Sequence, residues 1–115
     1  MKVVSYKDVK ELYVDMEGAK DAYIRWLITS DDGAPNFAMR LFRVLPLGYT
    51  PYHSHPYEHE VFVLEGEGKL VFEGEEYPLK PGSVAYVDPD KRHQFVNTSK
   101  EKELRFICVI PYNRK

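Results

Sequence analysis

The chain has 115 residues and a formal net charge of −2, with 43% hydrophobic, 14% aromatic and 30% charged residues. That length suits one domain with enough apolar side chain to bury a core, which excludes a disordered chain. With no basic excess to neutralise phosphates, nucleic-acid binding through a broad charged face is excluded as well.

One cysteine, Cys108, excludes an internal disulfide framework and fits a reducing compartment. No apolar run approaches the length of a membrane span, and no membrane partner is expected. Residues 1–8 lack the long apolar stretch of a secretion signal, so a cytoplasmic location is expected.

Taken in chain order, residues 1–30 are the more charged part and are predicted to form an N-terminal arm with edge strands, within the same domain as a barrel core over 31–115. Residues 9–14 read as a strand or one helical turn. A strand is predicted over 22–29, where Tyr23-Ile24-Arg25-Trp26-Leu27-Ile28 is apolar enough to cover an edge. From Asp31 onward, Gly, Pro, Asn and Asp clusters recur at short intervals. They bound further strands over 37–45, 61–64, 69–72, 76–79, 83–87, 93–97 and 103–110, with Pro46-Leu47-Gly48 as one of the turns. Val61-Phe62-Val63-Leu64 is apolar on both faces, which predicts cover on both sides. In the last strand Leu104, Phe106, Cys108 and Ile110 share a face and are predicted to point inward. No window carries a helical apolar stripe, so the fold class is all-β, a sandwich or small barrel.

Three of the four histidines, His53, His55 and His59, fall within one short segment and have the same parity. In extended chain such residues project to one side. His93 opens a later strand, and a neighbouring strand can bring it to the others. Imidazole is the commonest protein metal ligand, so the cluster is a candidate metal site. No serine and histidine are arranged for acyl transfer.

These residues resemble the two motifs of the cupin superfamily. Gly48, then His53-Ser54-His55, then His59-Glu60, then Gly66-Glu67-Gly68 is similar to the first; Gly82, Pro89, His93 and Asn97 are similar to the second. Two departures leave the ligands untouched: Gly48 stands one residue too close to His53, and Lys91 replaces a turn glycine. The segments around Pro35-Asn36-Phe37 and Phe106-Ile107-Cys108 also resemble small manganese-binding cupins with four-histidine sites.

The resemblance implies a double-stranded β-helix with a metal near one mouth of the barrel, and a homodimer, often with N-terminal strands exchanged. It implies one divalent metal per chain on His53, His55, His93 and either His59 or Glu60. Strand parity favours His59, leaving Glu60 at the rim or as a weak candidate for a general base. Ligand softness suits zinc, copper, iron or nickel, whereas the resemblance points to manganese. Manganese or iron is ranked first, zinc or nickel next. Arg40, Phe42, Tyr52, Phe95, Phe106 and Cys108 are candidate lining for a small-molecule substrate pocket. The implied function is a metal-dependent oxidoreductase that uses dioxygen or a peroxide. A non-catalytic binder of a sugar or organic acid, and an isomerase or decarboxylase, are the alternatives, with a purely structural metal a further one.

Overall fold

The computed structural model describes residues 1–112. They form nine strands: β1 Glu11–Tyr13, β2 Lys20–Ile28, β3 Phe37–Tyr49, β4 His59–Glu65, β5 Gly68–Phe72, β6 Glu75–Leu79, β7 Val84–Val87, β8 His93–Asn97 and β9 Leu104–Pro111. Two short 3-10 turns, Tyr6–Asp8 and Ser30–Asp32, are the helical pieces. The long path through the sheet runs β6-β5-β8-β3-β9-β4-β7, with β2 beside β3 and β1 beside β2. All pairs are antiparallel. The fold is all-β, as the alternation and turn spacing predict.

The sheet curls because β3 changes partners along its length. Its first part pairs with β9, from Phe37 opposite Pro111 to Val44 opposite Leu104. Its last residue, Tyr49, pairs with Val96 of β8. Pro46-Leu47-Gly48, expected as a turn, is instead a bend inside one 13-residue strand. Leu47 takes φ 63 there, and the ladder to β2 slips between Lys20 and Ala22. A local bulge tightens the twist without ending the strand.

Asn97 ties the bend to the turn that precedes β9. Its Nδ2 donates to the carbonyls of Val44, Leu45 and Lys102 at 3.0, 3.1 and 2.8 Å, while its Oδ1 accepts from the Ser99 amide at 2.8 Å. The side chain is fully buried, where unpaired groups are costly. Gly68 matters nearby for a different reason. A Cβ there would stand 2.3 Å from the Val96 carbonyl oxygen, so β5 approaches β8 this closely only without a side chain.

The core lies inside the curl. Along β9, Leu104, Phe106, Cys108 and Ile110 are buried, in the alternation expected for one inward face. Strand β4 departs from expectation. Val61 and Val63 are buried, but Phe62 and Leu64 are 48% and 45% exposed, so this strand is covered on its inner side only. The N-terminal strands lie along β3 within the same sheet. On their outer side Arg43 grips Glu11 with two hydrogen bonds, at 2.9 and 2.8 Å, and Glu103 with a third at 2.7 Å. No helix among the described residues is long and apolar enough to cross a membrane.

Candidate metal centre

The segment between β3 and β4 carries two of the four histidines, His53 and His55, a third, His59, opens β4, and the segment is zipped to β8. The Thr50 amide donates to the Phe95 carbonyl at 2.9 Å, and the Phe95 amide donates to Thr50 Oγ1 at 2.9 Å. Further along, His53 and His93 exchange backbone hydrogen bonds at 3.1 and 2.9 Å, and the Asp90 amide donates to the His55 carbonyl. These bonds place the histidine of the second motif against those of the first. His59 then opens β4 opposite Val87, facing the interior at 3% exposure.

His53, His55 and His93 each offer a ring nitrogen, and the three atoms lie within 4.8 Å of one another. His53 Nε2 and His55 Nε2 are 3.2 Å apart. Two nitrogens bound to one ion at about 2.1 Å stand roughly 3–3.5 Å apart, so this spacing suits a shared cation. His59 lies outside that triplet, with its ring centroid 4.7 Å from that of His93 and 5.1 Å from that of His55. Its buried Nδ1 has no hydrogen-bond partner.

Burial holds all four rings in the neutral state that coordination needs. It pushes His55 down to about 4 and His59 down to about 3, helped by the charge of Arg40 and by the neighbouring imidazoles. His53 and His93 are lowered too, again mainly by burial. Neutral His93 has a defined tautomer: its Nδ1–H donates to the Lys91 carbonyl at 2.9 Å and leaves Nε2 free to bind. A buried nitrogen without a partner, neutral rings and closely facing nitrogens fit a divalent cation of borderline softness.

The histidines sit in the wall of a cavity of about 390 Å³. Ile24, Trp26, Phe42 and Phe95 make it apolar, and residues 12–16 of the N-terminal segment close one side. Of the predicted pocket residues, Arg40, Phe42, Phe95 and Cys108 line it. Phe106 does not. It is fully buried behind the wall, stacked on Phe42 at 5.1 Å and tilted against Phe95 at 4.6 Å. Tyr52 is also absent from the wall, its ring lying 4.5 Å from the Arg92 guanidinium. Glu60 alternates to the outer face of β4 and is exposed there, beside Phe62 and Tyr86, so the structure does not bring it to the cavity.

Other wall residues escaped the sequence reading, among them Trp26, Tyr57 and Asp15. Tyr57 stacks on His55 at 4.8 Å with a 6° interplanar angle, and shares the odd parity of the histidines, a signal that was available. Asp15 is the carboxylate of the wall, and its approach from the N-terminal segment left no local trace.

Residues 40–110 match the family described as "Cupin domain". Among solved structures, the polyketide cyclase RemF from Streptomyces resistomycificus is similar with a TM-score of 0.91 and 39% identity, covering 99% of this chain and 81% of that one. An L-ectoine synthase from Mycobacterium sp. (strain KMS) is 30% identical over 80% of this chain and 70% of its own length. An oxalate-binding protein from Thermotoga maritima is 31% identical over 96% of this chain and 93% of its own.

Proposed function

Because the chain belongs to the cupin family, we propose that it is a metal-dependent enzyme that closes a ring in a small, carbonyl-rich organic substrate, with His53, His55, His59 and His93 holding one divalent cation. The observation that carries this reading is the meeting of three histidine nitrogens, within 4.8 Å of one another, at the wall of an apolar cavity. The likeness to a polyketide cyclase, at 39% identity, supports ring closure above the other reactions that this fold hosts. Manganese or iron is the proposed occupant, ahead of zinc or nickel.

When bound, a divalent cation supplies Lewis acidity that polarises a carbonyl oxygen. Four neutral imidazoles cancel none of its charge, so the histidines leave the full attraction for a substrate oxygen. Trp26, Phe42, Phe95 and Tyr57 present ring faces and edges that hold an unsaturated chain folded and keep water out. Ring closure then needs no oxidant. A methylene between two carbonyls gives up a proton, its carbon bonds to a distant carbonyl carbon, and the oxygen there takes up that proton as a hydroxyl; the same carbon then gives up its second proton, a carbon–carbon double bond forms, and the hydroxyl leaves with that proton as water. The proposed proton acceptor is Asp15, an exposed residue of the N-terminal segment at the cavity's edge, since the imidazoles are taken up as ligands.

The test incubates metal-loaded protein with a linear poly-β-ketone acid. Product is followed by mass spectrometry for loss of water, and oxygen by an electrode. The expected result is a cyclic product above the metal-free control, with no oxygen uptake. Ring formation no faster than that control overturns the proposal. Oxygen consumed in step with substrate puts the oxidoreductase in its place.

A further inference from the structure

Arg40 is a buried cation without an anion. It is 8% exposed, and no ion pair among the described residues includes it. Among the described residues its one hydrogen bond runs from Nη2 to Cys108 Sγ at 2.9 Å, and its buried Nε–H has no partner. A thiol is a weak acceptor. Burial drives the Cys108 thiol away from ionising, although the neighbouring guanidinium pulls the other way, so Sγ does not answer the charge. An unpaired guanidinium in an apolar site carries a heavy desolvation cost unless something supplies the opposite charge.

The surroundings hold the group in place. Across the ladder, Trp26 of β2 faces Arg40 of β3, which in turn faces Cys108 of β9. The guanidinium carbon lies 5.4 Å from the Trp26 ring centroid and 5.1 Å from that of Phe42. Two aromatic rings therefore flank the guanidinium at cation–π distance, the Nη2 corner is tied to sulfur, and the buried Nε has no partner among the described residues. All four residues line the same cavity as the histidines. A planar fork with free N–H donors matches a carboxylate or enolate, which can take two parallel hydrogen bonds.

We propose that Arg40 is an anion anchor, which takes a carboxylate or enolate group of the substrate in addition to the oxygen presented to the histidines. The substrate class is thereby an organic acid with an unsaturated apolar body. Trp26, Phe42 and Cys108 position the fork, and Arg40 selects for the anion. This inference rests on reading the cavity as a substrate site, and it adds a second point of attachment that sets which end of the substrate meets the metal.

The experiment uses the full chain stripped of metal, so that the histidines, held neutral, offer a ligand no charge. Trp26 is the single tryptophan of the chain and lies against Arg40, so its fluorescence reports binding at this end of the cavity. Benzoate and neutral benzamide serve as probes. The wild-type chain is expected to prefer benzoate by roughly tenfold to a hundredfold, the range of a charged hydrogen-bonded pair. Arg40→Met abolishes the preference and Arg40→Lys keeps part of it, with folding checked by circular dichroism. Should Arg40→Met fail to fold, Arg40→Lys and the wild-type comparison still decide the matter. Equal affinity for the two probes, no detectable benzoate binding, or a preference that survives Arg40→Met overturns the proposal. Because no metal is present, failure of the ring-closing activity leaves this result standing. Loss of the preference with ring closure intact removes the anchor alone.

Discussion

Substitution of His93 separates the ligand assignment from simple packing. A divalent cation held by the histidines at roughly a hundred times its Kd stabilises the folded chain by about 2.7 kcal/mol. For a domain of 115 residues that raises Tm by roughly 10 °C. His93→Ala removes a ring that is 3% exposed and its hydrogen bond to the Lys91 carbonyl, so the metal-free variant itself loses about 2 kcal/mol. The informative quantity is therefore the metal-dependent shift within each variant, in which the packing loss cancels. Calorimetry of stripped protein, with and without added Mn, Fe(II), Zn or Ni, measures it. His53→Ala and His93→Ala are expected to abolish the shift, and His59→Ala to remove most of it. Glu60→Ala, on the outer face, leaves it intact. A full shift in His93→Ala, or its loss in Glu60→Ala, refutes the assignment.

The stripped protein should lose stability as pH falls below about 6.5, because the unfolded chain takes up protons that the folded imidazoles resist; the loss continues toward the depressed values of about 4 for His55 and about 3 for His59. A urea midpoint that stays flat from neutral pH down to this range is the contrary result. Asn97→Leu strips three backbone carbonyls of their donor and one amide of its acceptor, and should lower unfolding free energy by about 3–4 kcal/mol in urea titration; a loss below about 1 kcal/mol shows that the bend of β3 is held by other means. Gly68→Ala forces a methyl toward the Val96 carbonyl and Leu104, with an expected loss of about 2 kcal/mol; unchanged stability means that β5 can retreat from β8 without penalty.

Much of the fold was legible because strand periodicity is local. Alternation alone places Leu104, Phe106, Cys108 and Ile110 on one buried face. The same parity puts His53, His55, Tyr57 and His59 on one side of their segment, and turns Glu60 outward. The strands from 69 to 97 were bounded by glycine and proline turns whose geometry depends on a few adjacent residues. By contrast, Pro46-Leu47-Gly48 carries the composition of a turn but lies within β3. There the side chain of Asn97, distant in sequence, donates to the carbonyls of Val44 and Leu45. An apolar run such as 61–64 has no local mark that tells an inner side from an outer one, and only the sheet leaves Phe62 and Leu64 uncovered.

What the amino-acid order determined by itself, then, is most of the strands, the inward face of β9 and the shared side of His53, His55 and His59, since each depends on residues close in sequence. Only the tertiary structure decided the cavity. Trp26, Arg40 and Cys108 become neighbours through the register of three strands, and Asp15 reaches the wall because the N-terminal segment passes beside it. The exclusion of Phe106 and Tyr52 has the same origin. Cross-strand register follows from the packing of the whole sheet, and no short window of sequence contains it.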